Sequence, residues 1–339
     1  MKADSVKTTR TRWLDRTVGS GLGLLSLAPV VTVVGLAAYL TVSASPVFRY
    51  MGWHFLTSLE WSIGNQYANH AVVVHGVRVM PDASYGALVF IVGTALTSLL
   101  ALLAAIPVAF LAAAGSGYFV KGPIRHLLAG LVEMMAGIPS VIYGLWGLVV
   151  VAPAISHHIG PWLNTLFSPL GFLSGPLGSE TNLLVAVMVI TLMIVPIIAA
   201  TIRAVMERIP RDMIESGLAL GWTEGETFWR VVWPYARSAV VGGSILGLGR
   251  ALGETMAVLM VSGDALNVLP QNLYSAIGTM AATIAGQLDS ALTDPTHMAL
   301  HALGALGLVL FVMTVLVNLL ARAIVKRASS GVSIVEEGS

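Results

Sequence analysis

Arg250 and Glu254 are the residues of this chain whose chemistry is hardest to place, because they stand four apart inside an apolar run from about 238 to 261. A charge deep in a bilayer costs about 2.5–3.5 kcal/mol on insertion scales, so each needs a partner or a wet cavity. At that spacing on a helix the two share a face and can pair. One reading is a structural ion pair that fixes helix packing. In the other, the planar fork of Arg250 meets a tetrahedral oxyanion, and Glu254 neutralises it when the anion is absent.

The remaining candidates are weaker. Glu133 stands near one end of an apolar run, where a solvated or helix-contact role is expected. His297 and His301 have metal-ligand spacing but no third ligand on that face, which favours an interfacial pair over a metal site. Gly247-x-Gly249-x3-Gly253 is one residue off a dinucleotide fingerprint and lacks a preceding strand, so its small residues are expected to let helices approach closely. No phosphate-loop motif occurs, and the absence of cysteine excludes disulfides, thiolate metal sites and a Cys nucleophile. No catalytic residue, metal site or cofactor is assigned.

The elements that must position these residues are membrane spans. A chain of 339 residues, 56% hydrophobic and only 10% charged, with a mean hydropathy of +0.83, cannot cover a soluble surface. Six apolar runs lie near 21–42, 86–114, 127–151, 182–202, 238–261 and 298–321. The first is too long for a signal core of ~7–15 residues and is read as a retained helix. Pro107, Pro139 and Pro196 lie inside runs, where they kink helices and free carbonyls.

Charge sets the sidedness. Of the eighteen Lys and Arg residues, fifteen fall in the N-terminal segment, the 115–126 loop, the 203–237 loop and the C-terminal tail. The opposite side has only Arg49 and Arg78, and Arg250 lies within a run. This asymmetry predicts six spans with both termini cytoplasmic. The domains expected are a cytoplasmic segment 1–20, a six-helix transmembrane domain 21–322 containing a cytoplasmic loop 203–237, and a cytoplasmic tail 323–339. The loop 43–85 is then external. Its Trp53, Phe55, Trp61 and Tyr67 are either interface anchors or contacts to an external protein. The basic residues form no stripe with interleaved aromatics, so a nucleic-acid role has no support.

The 203–237 loop has its own pattern. Residues 213, 214, 217, 218 and 221 put apolar or small side chains on one face of a short helix, with Pro210 in its first turn and Gly221 able to end it in the left-handed conformation. Thr223 and Glu226 are spaced as a capping box for a second helix, with Phe228, Trp229, Val232 and Trp233 on one face and Pro234 ending it. Two amphipathic helices hinged at a glycine make a docking surface.

Glu215, Ser216, Gly217, Gly221 and Val231-Val232-Trp233-Pro234 resemble the EAA loop of ABC-importer permeases, with Ser216 and Gly217 in place of two alanines. The stretch Gly247–Thr255 looks like the phosphate branch of that family and its PstC-type subunit, as do Tyr85-Gly86-Ala87 and the segment from Ala136 to Gly147. The resemblance covers roughly residues 50 to 322. It implies an all-α polytopic protein of the type I ABC-importer permease kind in a bacterial plasma (inner) membrane, carrying inorganic phosphate and performing no chemistry itself. The partners implied are a second homologous permease subunit, two cytosolic ATP-binding subunits, an extracytoplasmic phosphate-binding protein and membrane lipid. Glu215, Ser216, Gly217, Gly221 and Pro234 would couple to the ATPase, and Arg250 with Glu254 would line the substrate pathway. The alternatives are a permease for molybdate or sulfate, and a membrane scaffold that senses phosphate without moving it.

Overall fold

The computed structural model describes the backbone of residues 4–65, 68, 70–167 and 171–329, and side chains within 25–323. Tyr67 and most of the expected terminal segments lie outside the described side chains. The chain is built from helices, in order α1 (Asp4–Met51), α2 (His54–Thr57), α3 (Leu88–Ala114), α4 (Pro123–Ala136), α5 (Ser140–Trp146), α6 (Ala152–Ala154), α7 (Gly160–Leu166), α8 (Leu183–Met206), α9 (Arg211–Ala219), α10 (Glu224–Thr227), α11 (Trp233–Leu252), α12 (Met256–Val261), α13 (Met280–Gly286), α14 (Leu288–Leu292) and α15 (Met298–Ser329). Wider π-helical turns at 115–119, 147–151, 155–159 and 228–232 join several of them.

Among the described residues, five helical stretches are long and apolar enough to cross a membrane: Leu25–Met51, Leu88–Phe119, Ser140–Leu166, Leu183–Met206 and Met298–Ala323. The run expected as the fifth of six spans, 238–261, is instead divided. α11 ends at Leu252, residues 253–255 leave the helix, and α12 resumes at Met256. The third run is also displaced. Gly137, Ile138 and Pro139 break it, so α4 is a separate helix and the span starts at Ser140. Pro139 therefore precedes a helix rather than kinking one, whereas Pro107 and Pro196 do lie inside α3 and α8. The span then continues to Leu166, through half of the segment expected as a loop at 152–181.

The centre of the bundle is α3, α8 and α11. Lipid removes the hydrophobic drive between spans, so association rests on close contact of small residues. Ala101, Ala105, Ala109 and Ala113 form a fully buried i,i+4 stripe on α3, in one apolar core with Ile190, Ile194, Ile198 and Ile202 of α8. On α11 the buried face is Ala236, Ala239, Gly243, Gly247 and Ala251. A Cβ on Gly247 would lie 2.9 Å from Ile198 Cδ1, which accounts for that glycine as a packing residue. α1 lies outside this bundle against α15, where His301 Nδ1 sits 2.8 Å from the Ser43 carbonyl oxygen. His301 is thus turned toward α1, and His297 precedes α15 with φ +56°, so they do not act as a pair.

One end of the bundle is closed by the segments 52–87 and 262–297. The first contains two small antiparallel sheets, β1 (Trp61–Ser62) with β4 (Ser84–Tyr85) and β2 (Val72–Val74) with β3 (Val77–Val79). Trp61 is buried with edge contacts to Tyr85 and Phe90 at 5.6 and 5.3 Å, so it is a core residue of this cap. Its backbone N–H donates to Asn267 Oδ1 at 2.6 Å, joining the two segments. Phe55 is likewise buried, while Trp53 is 82% exposed. The cap also holds the start of α8, where Leu183 N donates to the Ser275 carbonyl at 3.0 Å. The opposite end of α8 leads into residues 203–237.

Candidate functional site

The segment 207–234 forms a helix, a tight turn and a second helix. Pro210 caps α9 from just outside it, one position earlier than expected. Gly221 has φ +86° in open space, the left-handed conformation that lets the chain leave α9. The capping box is complete. Thr223 Oγ1 accepts from Glu226 N at 3.2 Å, and Glu226 Oε2 accepts from Thr223 N at 2.9 Å. The Thr223 N–H, joined by the Thr223 hydroxyl donating to Glu226 Oε2 at 3.1 Å, holds the Glu226 carboxyl below its usual range, since both bonds favour the charged form.

Pro234 does not end the second helix. α10 continues through the π turn 228–232 into α11, with Pro234 in the first turn of α11. A proline inside a regular helix loses a bond and clashes with the carbonyl four residues back. The wider ring of the π turn immediately before it relieves that constraint.

Packing divides the surface of this segment sharply. Phe228 and Val232 are buried, and Phe228 joins Phe110, Tyr118 and Phe119 in an aromatic cluster with centroid separations of 5.0–6.0 Å. Trp233 stacks edge-on to Phe110 at 5.2 Å, whereas Trp229 is 58% exposed. On α9 the single buried residue is Gly217, where a Cβ would lie 3.1 Å from both Thr227 Cγ2 and Trp222 Cε3. Met213 and Leu218 of the expected apolar face stay exposed, and so do Leu220, Glu215 and Ser216. Ser216 Oγ donates back to the Asp212 carbonyl at 2.6 Å.

A second segment braces this one, and no local sequence signal announced it. Lys121 Nζ lies 2.5 Å from Glu224 Oε1, and the Tyr118 hydroxyl donates to the Glu224 carbonyl at 3.1 Å. Arg125 pairs with Glu207 at 3.3 Å, and Arg203 pairs with Glu133 and approaches Glu207 at 3.8 Å. Glu133 therefore sits in the last turn of α4 facing α8, not at the opening of a span. Between these segments is a cavity of about 310 Å³ whose lining includes Lys121, Arg125, Arg211, Glu215 and Glu224.

Arg250 and Glu254 lie at the far end of α11. The expected same-face pair does not form, because the helix ends at Leu252 and Gly253 turns the chain away. Among the described residues no ion pair joins them. Glu254 Oε1 instead accepts from Ala257 N at 3.3 Å, capping α12, and Arg250 is exposed. Tyr143 lies within electrostatic reach of Arg250. Its hydroxyl donates across the 137–139 break to the Met135 carbonyl at 2.9 Å. The helices that follow the two breaks pack together: a Cβ on Gly144 would lie 2.8 Å from Ala257 Cα, so α5 and α12 meet backbone to backbone. The result is a guanidinium with no ion-pair partner among the described residues, at the end of an interrupted helix, and interrupted helices in a bilayer are tolerated where the irregular backbone is buried in protein or lines a cavity rather than lipid.

Residues 105–333 match the family described as binding-protein-dependent transport system inner membrane component. The chain is 42% identical over 321 residues to the phosphate transport system permease protein PstC 1 of Mycobacterium tuberculosis (strain ATCC 25618 / H37Rv), covering 94% of this chain and 93% of that one. It is 41% identical over 249 residues to PstC of Pasteurella multocida (strain Pm70), covering 72% and 76%. A chain of the MetNI methionine ABC transporter in an inward-facing form aligns with a TM-score of 0.48 at 15% identity, over 71% of this chain and 96% of that one. By the family match and the sequence relatives, the chain belongs to the binding-protein-dependent transport system inner membrane components, among the phosphate transport system permease proteins PstC.

Proposed function

We propose that this chain is a permease subunit of an ATP-driven importer for inorganic phosphate. Its strongest support is the 42% identity to a phosphate transport system permease across nearly the whole chain. ATP hydrolysis belongs to separate subunits, since the chain has no phosphate-loop motif and an open helical surface where a motor can dock. Glu215, Ser216, Gly217, Gly221 and Pro234 form that surface and its supports. A second permease subunit completes the pathway, and an extracytoplasmic phosphate-binding protein delivers the anion to the capped end. Arg250 meets phosphate on the path, and Glu254 orders the break beside it. Residues 1–20 and 323–339 flank the membrane domain 21–322 on the cytoplasmic side.

Uptake of labelled phosphate by cells with and without this chain tests the proposal. Loss of uptake, with sulfate and molybdate failing to compete, is the expected result. Unchanged phosphate uptake with sulfate or molybdate uptake lost would replace the substrate. Unchanged uptake of all three, with only the phosphate response lost, would leave a sensing scaffold.

A further inference from the structure

Beyond the pathway, the cap has a cavity lined by basic side chains and by no acid. Its volume is about 520 Å³, and it lies between the hairpin segment and the chain that leads into α15. His70, Arg78 and Met80 line it from one side, Thr296 and His297 from the other. Among the described residues of its lining there is no Asp or Glu, and the sequence has none between Glu60 and Asp82. On the α15 side, Asp294 is buried and committed to Thr296 N and Ala299 N, at 2.9 Å each.

The fold makes no use of these basic side chains. Arg78 stands on β3 between Val77 and the buried Val79, and its own side chain is exposed, as are those of His70 and His297. Among the described residues none of the three makes a side-chain hydrogen bond or ion pair. His297 is the most informative of them. Its φ of +56° is a conformation that a Cβ disfavours and glycine adopts freely. The backbone is locked there, with His297 N donating to the Asp294 carbonyl at 3.1 Å and the His297 carbonyl accepting from His301 N at 3.2 Å. The turn requires that conformation but no imidazole, so the ring answers to the cavity it lines.

We propose that this cavity is a docking pocket for an acidic side chain of the extracytoplasmic binding protein, whose carboxylate is held by Arg78 with His70 and His297 as further donors. The inference rests on the reading of the chain as a binding-protein-dependent permease with its cap outside. Charge and size select the occupant. A guanidinium fork and imidazole N–H groups suit a carboxylate or phosphate oxygen. A free inorganic anion fills only a small part of this cavity, whose volume falls in the range of about 300–1,000 Å³ that encloses organic ligands. It would also remain in water, because the basic side chains are exposed and an exposed ion pair is weak. A protein loop supplies the carboxylate and covers the pocket together. Filling it ties the hairpin to the base of α15, a span that packs on α11, the helix of Arg250.

The test measures the affinity of the purified phosphate-binding protein of the same organism for the assembled importer in lipid nanodiscs, with and without a non-hydrolysable ATP analogue. Arg78→Glu should weaken binding roughly tenfold or more, because like charges then meet. Arg49→Glu changes the other basic residue assigned to that side, which is absent from the lining, and should bind near wild type. His297→Gly removes the ring and relaxes the turn, so its expected severalfold loss cannot come from backbone damage. That variant decides if Arg78→Glu fails to assemble. Wild-type affinity in both pocket variants would overturn the proposal and leave the importer reading standing. Equal loss in Arg49→Glu and Arg78→Glu would also overturn it, since overall charge and not the pocket would be responsible. No binding to the wild-type importer in either nucleotide state would refute the reading beneath it, and the proposal with it. In a last arm, inorganic phosphate is titrated onto the importer without the binding protein, and no change in hydrogen exchange across 68–80 is expected. Protection by phosphate alone, lost in Arg78→Glu, would make the cavity a free-anion site and sink the docking role.

Discussion

The hinge at Gly221 gives a prediction whose cost can be worked from geometry. Its φ of +86° lies in the left-handed region, and nothing stands within 4 Å of where a Cβ would go. Gly221→Ala therefore meets no clash and costs only backbone strain, about 1–2 kcal/mol. Gly225 offers a matched control, being also in open space but without a positive φ. α9 is held by little else, since only Gly217 among its residues is buried. The strained turn is thus expected to relax by moving α9. A shift of about 1.4 kcal/mol is tenfold in an equilibrium, so the correctly posed population should fall by about that factor. The assay is phosphate carried per ATP hydrolysed by the importer in proteoliposomes. Gly221→Ala should lower that ratio severalfold, Gly221→Val should lower it further, and Gly225→Ala should leave it unchanged, all with normal assembly. Equal loss in Gly221→Ala and Gly225→Ala would refute the argument, because the added methyl and not the strain would be responsible. Normal coupling in Gly221→Val would make the segment a mere connector.

Two further expectations concern the pathway and the sidedness. Arg250→Met combined with Glu254→Leu should assemble yet fail to carry phosphate, and Arg250→Lys should rescue partly at best because the fork is lost; transport near wild type in the double variant would remove Arg250 from the pathway. A reporter fused after Ser329 should behave as cytosolic, and an external signal there would reverse the orientation drawn from the Lys and Arg count.

What the sequence disclosed was local, and what it hid was mostly long-range. The capping box at Thr223 and Glu226 and the left-handed Gly221 depend on three or four neighbouring residues, so spacing alone reveals them. The break at 253–255 was concealed because averaging hydropathy over 238–261 measures composition and not continuity. The signal existed in Gly253 followed by Thr255, a stop and a start for helices only two residues apart. Gly137 and Pro139 carried the same message for the third run. The hairpin at 72–79 had a run of valines on each side of His75-Gly76, both with positive φ as a two-residue hairpin turn requires, but it lay within a segment read only as an external loop. Lys121 with Glu224, and Glu133 with Arg203, lie 103 and 70 positions apart, and nothing in either partner's neighbourhood points to the other. For Arg250 and Glu254, the residue types were informative and the inferred pairing was not, because it assumed an unbroken helix.

The uninterrupted run from Glu224 to Leu252 makes the two ends of this molecule mechanically inseparable. Exposed Trp229 stands near one end of a single rod and Arg250 in the last turn of the other, about 30 Å away at 1.5 Å per residue. A push or twist applied beside Trp229 passes through the widened turn at 228–232 on its way to Arg250, and the rings of Phe110 and Tyr118 pack against Phe228 on one side of that turn. Beyond Leu252 the rod simply stops, so Arg250 rides on its tip while Glu254 stays with the next helix. Any axial movement of the rod must therefore change the gap between that cation and that carboxylate, which turns a displacement at one face of the membrane into a change of electric field near its interior.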